Sequence, residues 1–247
     1  MELRKEAMEY LVDLGVQADG VEVLEICGKT YANKSLARYD KPVYADAINA
    51  NTLTALVDYV GSSSKEFRGD MLVHIVSPTQ VCLLSELDAE RNREVLFKVN
   101  AEVSQFRFDN WYDQETFMIS LQANFQLNDD LAAVMKMAGN IERKNDQNFS
   151  DDGCTQVATM QVGVASKADV IVPNPVELIP YRTFQEVPQP ASKFVFRLAD
   201  KEVPAFKVVE AEGGIWKNEA IYNIKTYLIA AICQMPVDVQ NRLTVIG

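Results

Sequence analysis

Between Thr155 and Cys233 the chain runs through successive extended segments and then into one helical segment that opens at Gly213-Gly214. Ala158, Met160, Val162 and Val164 fall on one side of an extended backbone, with Thr159, Gln161 and Gly163 on the other. That period of two marks a strand with one buried face. Val170-Ile-Val172 and Val176-Glu-Leu-Ile179 are two more β-rich runs. The prolines of Pro173-Asn-Pro175 between them supply no ladder donors and force a break. Phe194, Phe196 and Leu198 alternate with Lys193, Val195 and Arg197, and Val203 to Val209 reads as the return strand of a hairpin. From Trp216 onward, Trp216, Ala220, Ile224, Tyr227, Leu228 and Ala231 recur at spacings of three and four. A helix over 214–233 with one broad buried face is expected.

The segment Tyr181 to Pro190 interrupts this pattern. It is too proline-rich for a helix and too apolar for a free linker, so it reads as an extended arm packed on something.

Upstream, Leu3 to Leu14 has the spacing of a short amphipathic helix, and Val21 to Ile26 that of a strand turning at Gly28. Lys29 to Lys41 shows little periodicity and reads as a loop. Ala45 to Val60 reads as a helix ended by Gly61. Met71 to Val76 and Val81 to Leu84, joined by Ser77-Pro-Thr79, predict a hairpin. With the alternating run Val95 to Val103 they predict an antiparallel meander. Helices follow over Trp111 to Gln126 and Asp129 to Arg143, the second with Asn128 as N-cap. The polar stretch Lys144 to Cys154 is the best exposed loop or lobe boundary. The expected architecture is one compact α+β unit over 1–247, an antiparallel sheet of hairpins and meander packed by a few helices, with an internal lobe boundary near 144–154.

A chain of 247 residues is long enough to bury a full core. Its net charge of −11 argues against nucleic acid as the main partner, because that binding needs Lys and Arg to neutralise phosphates. The four cysteines stand singly and a lone histidine accompanies them, which points to a reduced, cytoplasmic protein with no metal set and no cofactor. A charged N-terminus and no apolar run of about 18 residues predict neither export nor a membrane span.

Candidate chemistry is sparse. His74 lies in a strand-like run, where a partly buried strand histidine is the simpler reading than a catalytic base. Ser62-x-x-Lys65 matches the bare spacing of a lysine-activated serine but lacks the companion motif. Gly213 and Gly214 precede a helix whose unpaired N–H groups suit an anion, and Arg182 is the least poor cationic companion; Glu210 and Glu212 weaken that reading. Phe106, Phe108, Trp111 and Tyr112 form an aromatic cluster better suited to packing or a protein interface than to base stacking, since carboxylates surround it. The pairs Asp129-Asp130 and Asp151-Asp152 read as solvated helix-start and turn residues rather than as metal ligands.

Several segments together carry a family likeness: Phe67-Arg-Gly-Asp70, His74-Ile-Val-Ser-Pro-Thr79, Trp111-Tyr-Asp-Gln-Glu115, Asp151-Asp-Gly153, Val172-Pro-Asn-Pro-Val176, Pro180-Tyr-Arg-Thr-Phe184, Glu186-Val-Pro-Gln-Pro190, Phe194-Val-Phe-Arg197 and Glu210-Ala-Glu-Gly-Gly-Ile-Trp216. Over roughly residues 45 to 235 the chain resembles the YfdQ-like family of phage and prophage proteins. The resemblance implies a bacteriophage origin and a bacterial cytoplasm as setting, and assigns no catalytic or binding residue.

Three functions are then expected in turn. The first is a non-enzymatic, homo-oligomeric binding or self-assembling protein, with Tyr181, Phe184, Pro188 and Pro190 of the arm and the aromatic cluster covering a neighbouring subunit. The second is a nucleotide or small-anion binder, or an enzyme on such a ligand, using Gly213, Gly214 and Arg182. The third is an acidic inhibitor of a host defence or DNA-processing protein.

Overall fold

The computed structural model describes residues 5–21, 23–26, 29–32, 44–103, 106–140, 149–151, 155–162, 166–199 and 204–247. Two compact units follow one another, Met1–Tyr44 and Ala45–Gly247. The boundary thus falls after Tyr44. Of the expected loop at 144–154, Phe149–Asp151 is a strand and the rest lies outside the described residues.

The first unit holds α1 (Lys5–Asp19) and a hairpin of β1 (Val23–Ile26) and β2 (Lys29–Ala32), paired from Val23 opposite Ala32 to Ile26 opposite Lys29. The expected loop therefore opens with a strand, for which Thr30 and Tyr31 are suited residues. Residues 33–41 of that loop are outside the described set.

In the second unit β3 (Ile48–Ala50) leads into α2 (Leu53–Ser62), and β4 (Met71–Ser77), β5 (Gln80–Ser85) and β6 (Val95–Asn100) form the expected antiparallel meander. The helix starts later than its periodicity suggests because the Thr52 hydroxyl accepts the Ala55 N–H and caps it there. The three residues of β3 instead pair in parallel with β6. Next come β7 (Tyr112–Asp113), α3 (Gln114–Asn124), β8 (Phe125–Gln126) and α4 (Asp129–Asn140). The first of the two expected helices is trimmed at both ends: Asp113 caps it by accepting the Thr116 N–H, and Phe125 leaves it to pair with Pro180. Asn128 caps α4 as expected, accepting the Leu131 N–H at 2.8 Å.

The remaining elements are β9 (Phe149–Asp151), β10 (Thr155–Val162), β11 (Ser166–Pro173), β12 (Val176–Pro180), β13 (Ser192–Ala199), β14 (Ala205–Glu210), α5 (Trp216–Ile232), α6 (Val237–Gln240) and β15 (Leu243–Ile246). Strands β11-β10-β9 make a small antiparallel sheet. Two five-stranded sheets carry the unit. One, ordered β7-β14-β13-β12-β8, is wholly antiparallel; the other, β15-β4-β5-β6-β3, is the meander with a parallel strand added at each edge. The fold is α+β.

Each large sheet buries one face under a pair of helices. Met71, Val73 and Ile75 of β4 alternate inward and meet Leu56 of α2 and Ile224 and Leu228 of α5. On the other sheet Phe194, Phe196 and Phe206 meet Phe117 of α3 and Val134 of α4, with the Phe117 and Phe206 rings stacked at 5.3 Å. At roughly 25 cal/mol per Å² of apolar area, two such layers are the main source of stability.

Candidate interaction surface

The arm Tyr181–Pro190 joins the two cores. Phe184 is 1% exposed and packs with Val187 into the first core, beside Leu53 and Leu56. Arg182 reaches the other way, its guanidinium carbon 4.0 Å from the centre of the Trp216 ring and 5.9 Å from that of Phe194. Gln189 closes the loop from inside. Its Oε1 accepts the backbone N–H groups of Arg182 and Thr183, and its Nε2 donates to the Phe184 and Val187 carbonyls. Thr183 Oγ1 donates to the Pro78 carbonyl in the turn between β4 and β5. The arm is packed, as its composition requires, but on its own chain. Phe184 and Pro190 are buried there and leave a neighbouring subunit nothing to cover; Tyr181 is half-buried, and Pro188 is exposed while its carbonyl accepts from Asn223 of α5.

The anion-site residues do meet near the start of α5, but in an acidic setting. Gly213 and Gly214 have φ of 60° and 83°, which makes the sharp turn into the helix a glycine conformation. Within that turn the N–H groups of Ile215, Lys217 and Asn218 already pair with the carbonyls of Glu212, Gly214 and Ile215. The Arg182 Nη1 donates to Glu210 at 3.2 Å and its Nη2 to the Ser192 hydroxyl. Burial pushes this guanidinium down to about 10, while Glu210, Glu212 and Glu219 pull it back up. A buried guanidinium paired with Glu210, in a setting made acidic by Glu212 and Glu219, offers little to an anionic ligand.

The aromatic cluster is core packing. Phe106 lies 5.1 Å from Phe108 and 5.3 Å from Tyr112, and Phe108 stacks on Phe194 at 5.1 Å. Trp111 alone of the four is exposed, at 41%, with the Lys207 ammonium 5.0 Å from its ring.

His74 is half-buried in β4 and stands opposite Cys82 of β5, which in turn stands opposite Lys98 of β6. Burial raises the Cys82 thiol above its ordinary value and Lys98 only partly opposes the rise, so at neutral pH the sulfur keeps its proton and is a poor nucleophile. The Ser62 hydroxyl donates to the Asp58 carbonyl one turn back in α2. Asp130 accepts the Glu177 N–H at 2.7 Å, an intramolecular tie at the start of α4. Among the described residues no group of three or more His, Cys, Asp or Glu is placed to hold a metal ion.

A cleft of about 390 Å³ opens at the start of α2, lined by Asn51, Thr52, Glu102, Phe184, Gln185 and Glu186. Glu186 accepts the Thr54 N–H at 3.3 Å and Glu102 accepts from the Asn51 side-chain amide, so the cleft carries two of the chain's own carboxylates.

The feature that sequence reasoning missed is the outer face of α5. Ala220, Ile224 and Leu228 point inward and are buried, as their spacing predicts. On the opposite side Ile215 is 68% exposed, Tyr222 68% and Ile229 44%. These three residues recur at seven and so line one side of the helix at every second turn, with Asn218, Glu219, Lys225 and Thr226 on the turns between them; we call this row the outer stripe.

Comparison with models of protein families, with curated proteins and with solved structures finds no match to the chain. Among the described residues no helix is long and apolar enough to cross a membrane.

Proposed function

We propose that this chain is a phage-encoded accessory protein of the bacterial cytoplasm that acts by binding, through self-association, rather than by turning over a substrate. The phage setting rests on the resemblance to the YfdQ-like family. The observation that carries the mode of action is the solvent-facing stripe Ile215, Tyr222 and Ile229 on a helix whose other face is already buried. Three large apolar side chains aligned on one side of a firmly anchored helix and left in water suit a protein contact. The anion-binding alternative has less support, because Arg182 is paired with Glu210 and the cleft at α2 is lined by Glu102 and Glu186.

Native mass spectrometry of freshly purified protein tests this reading. A defined multiple of the chain mass supports it. A monomer at every concentration, or a monomer carrying a retained small molecule, overturns it and moves the function to a pocket.

A further inference from the structure

We infer that α5 packs antiparallel against α5 of a second copy of this chain, about a two-fold axis that passes beside Tyr222. The inference rests on the self-association proposed above and assigns it a surface.

A two-fold interface uses the same patch on both subunits, so residue i meets residue j and j meets i. The outer face of α5 has that symmetry. Ile215 and Ile229 stand seven residues on either side of Tyr222, and Glu219 and Lys225 stand three on either side. Seven residues return to nearly the same face of an α-helix, with a drift of about 20°. The stripe therefore runs straight for fourteen residues, about 21 Å at 1.5 Å per residue. Laid antiparallel on a copy of itself with Tyr222 against Tyr222, each Ile215 meets the partner's Ile229. Each Glu219 comes level with the partner's Lys225, and the pair occurs twice. The parallel arrangement would instead set Glu219 level with Glu219 and Lys225 level with Lys225, which like-charge repulsion disfavours. The charges thus select both the occupant and its direction.

Local structure supports a preformed surface. Ile215 precedes the first helical residue but already has helical backbone angles, so its side chain continues the stripe. Ile224 and Leu228 anchor the helix to the first core, so the outer face is presented on a fixed scaffold. A single pair of four-turn helices is small against the roughly 1,600 Å² of a standard interface, so the dimer is expected to dissociate on dilution.

The test combines sedimentation of the full chain over a concentration series with cysteine crosslinking. Tyr222→Asp, at a position in water in the single chain, is expected to leave the circular dichroism spectrum unchanged and to weaken dimerisation at least about 30-fold, the scale of a central contact residue. Glu219→Lys and Lys225→Glu are each expected to weaken it, and the two together to restore it. In a background with Cys27, Cys154 and Cys233 changed to Ser, Tyr222→Cys should give a disulfide-linked dimer on mild oxidation. Asn218→Cys should not, because the antiparallel axis separates its two copies beyond disulfide reach. A wild-type oligomer that ignores Tyr222→Asp, or one that crosslinks at Asn218→Cys but not at Tyr222→Cys, overturns the α5 pairing and leaves self-association through another surface. A wild-type monomer throughout overturns both.

Discussion

The Arg182 guanidinium carbon sits 4.0 Å from the centre of the Trp216 ring, so a residue of the arm grips the start of the helix that carries the outer stripe. The same side chain holds Glu210 of β14. The arm, the second sheet and α5 meet in this one contact.

That contact is measurable as a coupling energy. Trp216 is half-buried, so Trp216→Ala is expected to cost about 2 kcal/mol, less than the roughly 3–5 kcal/mol of a fully buried tryptophan. Arg182→Ala removes the partner of Glu210 and Ser192 and is expected to cost about 3 kcal/mol. In urea denaturation the double variant should show a coupling of about 1 kcal/mol. Strict additivity would mean that the two side chains are merely adjacent.

Gln189 satisfies backbone groups that have no water to turn to. Gln189→Leu, close in size, leaves the Arg182 and Thr183 N–H groups and the Phe184 carbonyl without it. Each stranded group costs about 1–3 kcal/mol, so a total loss of several kcal/mol is expected in calorimetry. A melting midpoint equal to that of wild type would show that the arm does not depend on this side chain.

Phe184 separates packing within the chain from packing between chains. Phe184→Ala should lower stability by about 3–5 kcal/mol, and the folded fraction should keep the subunit number of wild type. By the same reasoning, deleting residues 181–190 should unfold the second unit rather than yield a folded monomer. A stable, monomeric deletion variant would return the arm to the role of an intersubunit contact.

Tyr59 makes stability depend on alkaline pH. Burial, followed by the hydrogen bond to Glu66 at 2.7 Å, raises its phenol from 10.0 to about 12. Between those values the folded state holds a proton that the unfolded chain has lost, so stability falls as pH rises through that window and is fully present below it. Tyr59→Phe should flatten that part of the profile. Titration of the wild type by phenolate absorbance should show a late-ionising component that Tyr59→Phe removes; its persistence in the variant would show that Tyr59 is not its source.

Runs such as β4 and the first part of β13 were readable because buried positions alternate along them. The β4–β5 and β13–β14 hairpins and the inner face of α5 follow directly from their residues. Strands β3 and β15 are three and four residues long and lie at a sheet edge, too short for a period of two to stand out in the sequence. The arm shows the limit for the site. Its apolar residues announce that it must be packed, but only the fold reveals that the surface it packs on belongs to the same chain. Arg182 looked available because Glu210, its partner, is 28 residues away in sequence. The outer stripe of α5 was present in the spacing of Ile215, Tyr222 and Ile229, but the stronger inward stripe of the same helix drew the reading.

Strand β15 lies parallel to β4 at the edge of the first sheet, where Arg242 donates to the carbonyls of Phe67 and Gly69, up to 175 residues away in sequence. The meander β4–β5–β6 therefore leaves the ribosome long before the strand that closes its edge has been made. At bacterial synthesis rates of roughly 5–20 residues per second the wait is on the order of ten to thirty seconds. Throughout it the outer backbone of β4 is an open ladder on a nascent chain. That interval, rather than the finished fold, is where overproduction of this protein is expected to end in aggregates.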